Sequence, residues 1–295
     1  MAVVLVPPAL RPGARIRLVA PSGPFDRTLV LRGVAWLSQR YRVELDWAAF
    51  ARSGFLAGSD ARRSGELRDA LADPNLAAIV AARGGYGASR IAHALDFSVL
   101  RSHPKWIVGF SDVTVLHVEA ARHGLASLHA HNAAGLGRGD EQARTAWLDA
   151  LERPLQVRTH DALETWVSGA ATGPLFGGNL TLLTTCAAAG RLQPPPSAVW
   201  FLEDVGESPY RIDRMLTALR IGGHFDGATA IVLGEFTDCP AGPSGVSVQS
   251  VLRERLSDLG VPVLYGVRAG HGRHNVPLHL GLTAQVARDR LTLGA

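Results

Sequence analysis

The chain has 295 residues, 47% hydrophobic and 19% charged, with a formal net charge of +4. That is ample for one large or two ordinary domains, while basic residues this scattered exclude a nucleic-acid-binding stripe. Lys105 is the one lysine, so a Gly-Lys-Ser/Thr phosphate loop, and with it a P-loop ATPase or kinase, is excluded.

From the N-terminus, "ARIRLVA" (14–20) reads as a buried strand followed by the turn Pro21-Ser22-Gly23-Pro24. "DRTLVLRGVAWLSQR" (26–40) has helical spacing, and "YRVELDW" (41–47) reads as a strand. Ser59 suits the cap of a helix reaching about Leu71. "NLAAIVAARGG" (75–85) is strand then glycine turn, and "ASRIAHAL" (88–95) is helical. "KWIVGF" (105–110) is a strand, and "DVTVLHVEAARHG" (112–124) is a helix. Residues 135–175 are less regular, with one short helix around 141–152, and read as a connection. Alternation resumes with a helix at 179–190, a strand "AVWFLED" (198–204) and a helix at 210–223. A strand at 228–236, a helix at 248–260 and a strand "VPVLYGV" (261–267) follow, and the tail reads as a β-hairpin around Arg288-Asp289.

Strand–helix alternation of this kind predicts parallel sheets covered by helices. The expected fold is α/β in two domains. Residues 1–150 form a flavodoxin- or Rossmann-like parallel-sheet domain, 151–175 the connection, and 176–295 a second α/β domain with the hairpin tail. Two cysteines, Cys186 and Cys239, are too few for a thiolate zinc cage or a disulfide framework. The first residues lack a basic n-region, and Pro7-Pro8 cut their apolar run short, unlike a secretory signal. No run of about 18 apolar residues offers a membrane span. A cytoplasmic protein is the expectation.

Function gathers at the carboxyl ends of strands in open α/β sheets. Four groups fall there: the turn Arg83-Gly84-Gly85-Tyr86-Gly87, Ser111, Glu203 and His271. Serine, imidazole and carboxylate are the parts of an acyl-transfer triad. If both domains turn their loop edges to one another, the three meet in an interdomain cleft. The amide of Asp112, at the start of a helix, suits an oxyanion donor, and the glycine turn can bring a second. Each part also has a plainer reading. Ser111 with Thr114 behind it looks like a helix cap, and "GFSDV" lacks the second glycine of the G-x-S-x-G elbow. Asp204 and Glu207 compete with Glu203, and His274 competes with His271. The pairs His129/His131 and His271/His274 could hold a metal, but neither has i,i+4 spacing or an HExxH pattern, and no metal is expected. Lys105, six residues before Ser111, reads as a surface residue at the far end of its strand.

Taken in order, "LVAPSGP", "ARGGYGASRI", "GFSDVTVLH", "GPLFGGNLTLL", "LEDVGESPYRIDRML", "VLGEFTDC" and "GHGRHNVPLHLG" resemble the L,D-carboxypeptidases of murein recycling. The microcin C self-immunity peptidases share that fold and apparatus. The resemblance runs from about residue 14 to 290. It implies a cytoplasmic, homodimeric serine peptidase that releases terminal D-alanine from murein tetrapeptides, without metal or organic cofactor. It implies Ser111 as nucleophile, His271 as base and Glu203 as its orienting carboxylate. The implied oxyanion donors are the amides of Asp112 and Gly85. A carboxylate-bearing substrate calls for a guanidinium, for which Arg83 and Arg211 are the candidates; Asn179 and Glu235 are further substrate-binding candidates. The murein peptide is then the expected partner, with no nucleic acid and no membrane. The alternative is a peptidase of the same fold cutting a peptidyl-nucleotide conjugate; an inactive binding protein or a metal hydrolase stands further back.

Overall fold

A computed structural model describes residues 4–243 and 245–294. The chain divides into two compact units. The first runs up to Pro154 and takes back Val276–His279; the second holds Leu155–Asn275 and the stretch from Leu280 onward.

In the first unit the chain runs β1 (Arg15–Val19), α1 (Arg27–Leu37), β2 (Arg42–Leu45), α2 (Asp60–Ala72), β3 (Ala78–Ala81), α3 (Ala88–Ile91), β4 (Trp106–Gly109), α4 (Thr114–Arg122), β5 (Ser127–His129), α5 (Ala133–Leu136) and α6 (Glu141–Glu152). Asp26 caps α1 by accepting from the amides of Thr28 and Leu29, and Ser59 caps α2 through Arg62. β2, β1, β3, β4 and β5 lie side by side in that order, and every pair is parallel. This is the flavodoxin-like order, whose switch point falls between β1 and β3. β3 and β4 are buried along their whole length, which explains their uninterrupted apolar sequences. Each fully buried Val, Leu or Ile contributes about 1.5–3 kcal/mol of transfer free energy. Ile16, Leu18, Val80 and Val108, all at 0% exposure, form the centre of this core.

The second unit contains β6 (Arg158–His160), β7 (Glu164–Val167), β8 (Ala170–Asn179), α7 (Leu180–Ala188), β9 (Ala198–Val205), α8 (Pro209–Ile221), β10 (Ala228–Thr237), α9 (Val248–Leu256) and β11 (Val263–Tyr265). After β12 (Leu278–Leu280), which joins the first sheet beside β5, come β13 (Thr283–Ala287) and β14 (Arg290–Leu293). The second sheet has the order β6-β14-β13-β8-β9-β10-β11-β7. Its centre, β8 to β11, is parallel, and antiparallel strands close both sides. β13 and β14 form the expected hairpin, turning at Arg288 with φ 54°.

The stretch read as an irregular connection carries more structure than its composition announces: β6, β7 and the first half of β8 lie in it. β8 is obscured by glycine. A Cβ at Gly173 would sit 1.8 Å from the carbonyl oxygen of Ser197, and one at Gly177 would sit 1.9 Å from that of Phe201. Glycine is kept here for close backbone approach, at the expense of the apolar alternation that marks a strand.

Lys105 is buried, with 2% exposure, where a surface position was expected. Its ammonium donates to the carbonyls of Ala70 (3.2 Å), Leu71 (2.9 Å) and Asp73, at the C-terminal end of α2. Those carbonyls have no intrahelical donor, so the cation satisfies the helix end and its dipole together. Burial pulls the amine down to about 8, against the opposing charge of Asp73.

Candidate active site

Ser111 follows β4 at the carboxyl edge of the first sheet. Its φ is 66°, a left-handed conformation that a non-glycine residue adopts only when its surroundings hold it there. Ser111–Val113 form one turn of 3₁₀-helix capped by Phe110, and α4 begins after Val113; neither start has a side-chain cap. The helix-cap reading of Ser111 therefore falls. The corner bends by strain at the serine rather than by the two glycines of the usual elbow.

The glycine turn after β3 reaches this serine. A Cβ on Gly84 would stand 2.8 Å from Cβ and 2.9 Å from Oγ of Ser111. Gly84 thus has no room for a side chain. Gly85, with φ 109°, lies against Gly23 instead. The Asp112 carboxylate is buried and accepts the amide of Ala88 at 2.8 Å. Burial pushes that carboxyl up, opposed by the Ser22 hydroxyl, the Ala88 amide and the charge of Arg63.

Behind the corner, Phe110 is packed edge-on to His129 and His131, at 5.9 and 6.0 Å between ring centroids. His117 contacts Ser127 Oγ and the Gly109 carbonyl, each at 2.9 Å. Burial lowers its pKa to about 4 against the pull of Gly109, so this imidazole is neutral at pH 7. Among the described residues, no group of three or more His, Cys, Asp or Glu side chains is placed to hold a metal ion.

In the second unit, His271 and Glu203 meet. Nδ1 of His271 lies 2.7 Å from Oε2 of Glu203, whose side chain is completely buried. Burial alone would lower the imidazole's pKa. The hydrogen bond and charge of Glu203, with Asp204 and Glu235 behind it, outweigh burial and hold it above its ordinary value. The pairing fixes the tautomer with Nδ1–H toward the carboxylate and leaves Nε2 as the basic nitrogen. The loop is shaped for this contact. At Gly270, φ is 130° and a Cβ would stand 2.8 Å from Glu203 Oε2, while its amide donates to buried Asn275 at 2.9 Å.

The rivals of Glu203 are occupied elsewhere. Asp204 accepts from Asn179 Nδ2 (2.9 Å), Thr181 N (2.9 Å), Thr181 Oγ1 (2.9 Å) and its neighbour Val205 N (2.8 Å). Its role is to secure the start of α7. Glu207 lies 3.6 Å from Arg211. Asn179 is buried and caps α7 by accepting from the Leu182 amide at 3.2 Å. Glu235, at the end of β10, presses its carboxylate against Gly272, where a Cβ would stand 1.9 Å from Oε2. Arg83 is exposed and donates to the Pro24 carbonyl at 2.6 Å. Arg211, also exposed, meets the Tyr210 hydroxyl at 3.1 Å.

The strained serine lies in the first unit and the carboxylate–imidazole pair in the second. Comparison with known proteins matches that division. The family model of the LD-carboxypeptidase N-terminal domain matches residues 16–130, and that of the C-terminal domain matches residues 172–286. The chain belongs to the LD-carboxypeptidase family. It is 33% identical to the murein tetrapeptide carboxypeptidase of Pseudomonas aeruginosa, covering 94% of each chain. The muramoyltetrapeptide carboxypeptidase of Oxalobacter formigenes has the same fold, with a TM-score of 0.86 and 28% identity over 96% of this chain and 99% of that one. The wild-type microcin C7 self-immunity protein MccF superposes with a TM-score of 0.90 over 99% of this chain and 98% of that one; at 21% identity, that likeness is one of fold. As a family member the chain is a hydrolase of the carboxypeptidase class. Among the described residues, no helix is long and apolar enough to cross a membrane.

Proposed function

We propose that this LD-carboxypeptidase removes the terminal D-alanine from murein tetrapeptides in cell-wall peptide recycling, through a Ser111–His271–Glu203 triad. The observation that carries the reading is the 2.7 Å contact between a buried carboxylate and an imidazole held basic by it. A serine hydroxyl needs such a base as it attacks. Ser111 attacks the carbonyl of the third residue, and His271 Nε2 takes its proton. The same imidazole gives that proton to the departing amine of D-alanine. Water, deprotonated by His271, then cleaves the acyl-enzyme. Glu203 orients the ring and stabilises the imidazolium without itself taking the proton. The amides of Asp112 and of the Gly84-Gly85 turn receive the developing oxyanion. Arg83 or Arg211 receives the substrate carboxylate.

Mass spectrometry of a murein tetrapeptide incubated with wild-type protein and with Ser111→Ala tests the reading. Loss of one alanine with wild type alone supports it. Loss with both proteins removes Ser111 as nucleophile. Loss with neither rejects the murein tetrapeptide as substrate and directs the assay to aminoacyl-sulfamoyl nucleosides, the ligand class bound by MccF.

A further inference from the structure

We infer that Arg63 is a positioning residue for the Ser111 corner, acting through the two loops that flank the serine. The inference rests on the reading of Ser111 as the nucleophile. Arg63 projects from the first turns of α2 and is completely buried. Its Nη1 donates to the carbonyls of Pro21 and Gly87, the latter at 2.8 Å. Its Nη2 pairs with Asp60, which Arg90 holds from the other side at 2.7 Å. Pro21 opens the loop after β1, and Gly87 ends the glycine turn after β3.

These are the loops that meet at the serine. Gly23 donates its amide to the Gly84 carbonyl at 3.3 Å, and Gly84 lies against Ser111. Gly87 makes room for the guanidinium: its φ is 133°, and a Cβ there would stand 2.7 Å from Nη1. The next residue, Ala88, gives its amide to the Asp112 carboxylate. The two loops are thus fastened to each other, to α2 through Arg63, and to the start of α4 through Asp112. Two further side chains of α2 hold the preceding residue. Glu66 accepts the Ala20 amide and Arg62 donates to the Ala20 carbonyl, both at 2.7 Å.

A buried guanidinium is costly unless its donors are placed. Here the planar fork places Nη1 on two main-chain carbonyls and Nη2 on the Asp60 carboxylate, and Nε alone is buried without a hydrogen-bond partner. Fixing residues 84–88 fixes the amides expected to receive the oxyanion, and such donors act only at short range from it.

The test compares wild type, Arg63→Met and Arg63→Lys. Three readouts are followed: kcat and KM for D-alanine release from a murein tetrapeptide, the rate of Ser111 labelling by a fluorophosphonate, and amide hydrogen exchange. Arg63→Met should lower kcat and the labelling rate by about 100-fold, the scale of a misplaced reacting group, with KM changed less than threefold. Exchange should quicken at residues 20–24 and 84–88 and stay unchanged in β8–β11. Arg63→Lys should recover about tenfold of the loss and stay about tenfold below wild type. Wild-type kcat and labelling in Arg63→Met, or a loss that falls on KM alone, would overturn the inference. If Arg63→Met does not fold, Arg63→Lys decides: a kcat reduced about tenfold with faster exchange at 84–88 supports the role, and wild-type values refute it. The function reading fails separately, by a wild-type protein that neither releases D-alanine nor takes the fluorophosphonate label.

Discussion

Gly84 is where the proposed chemistry is most exposed to a single atom. An alanine there adds a Cβ 2.8 Å from Ser111 Cβ and 2.9 Å from Oγ. Ordinary carbon–carbon contact begins at about 3.5 Å, so the serine or the turn must yield by roughly 0.7 Å. The other crowded contact is the Phe110 carbonyl at 3.3 Å, and the backbone at Gly84 is not in the left-handed region, so alanine adds no φ strain. It also restricts the unfolded chain, which favours folding by about 0.4–1 kcal/mol, against about 1–3 kcal/mol for the overlap. Stability should therefore change by no more than about 2.5 kcal/mol, a few degrees in Tm. Activity should suffer far more. A displacement approaching 1 Å at the nucleophile costs on the order of 100-fold, or about 2.7 kcal/mol in activation free energy. Steady-state release of D-alanine from the tetrapeptide, with circular dichroism for the fold, reads both. A folded Gly84→Ala protein with kcat within twofold of wild type would refute the placement of this turn against a catalytic serine.

Glu203→Gln should lower kcat by on the order of 10³- to 10⁴-fold, while Glu207→Gln should leave it within about threefold; the reverse ranking would reassign the carboxylate. Because Glu203 outweighs burial in raising the His271 pKa, kcat/KM of wild type should rise with pH through a midpoint above the usual imidazole value of about 6.5. Glu203→Gln should move that midpoint down, as measured by pH–rate profiles. The same linkage makes the protonated pair a source of stability below the unfolded imidazole pKa, lost as pH climbs through the raised folded one. Lys105→Met removes the lysine donor from three helix-end carbonyls, of which Asp73 alone keeps the Leu76 amide at 3.4 Å, and should cost about 2–3 kcal/mol. That amounts to several degrees in the first unit's thermal transition, with kcat within twofold. Because burial depresses the Lys105 pKa to about 8, wild type should gain stability between about pH 8 and the unfolded value near 10.4, and the variant should lack that gain. Dialysis against EDTA should leave D-alanine release unchanged; loss restored by zinc would move the reaction onto a metal.

The fold was legible wherever burial is two-sided or a cap is explicit. The runs "AIVA" and "WIVG" announced β3 and β4, helical spacing announced α1, and Ser59 announced α2. Glu203 was legible only as a carboxylate at a strand end, with Asp204 and Glu207 in competition, and it is the contact with His271 that distinguishes it. What stayed hidden was set by tertiary contact. Glycine at 173 and 177 serves strand approach, and it erased the pattern of β8. Gly84 is set apart from Gly85 by what each one faces, the Ser111 side chain or the Gly23 backbone, and by the positive φ of Gly85. Lys105 looked like any lysine at a strand start, since the three carbonyls that hold it come from 32 to 35 residues earlier in the chain. Arg63 has only Asp60 as a local partner, and its main-chain partners, Pro21 and Gly87, lie 42 and 24 residues away.

Burial of the chain's one lysine has a practical side as well. Acylating dyes, biotin esters and aldehyde cross-linkers meet no accessible ε-amine on this protein, and trypsin is confined in effect to arginine. Surface positive charge is carried by guanidinium groups, which keep their protons far into the alkaline range. Side-chain tethering that usually relies on lysine has to turn to carboxylates or to half-buried Cys239 instead, and the charge its surface presents to an anionic substrate will hardly fade as the buffer is made basic.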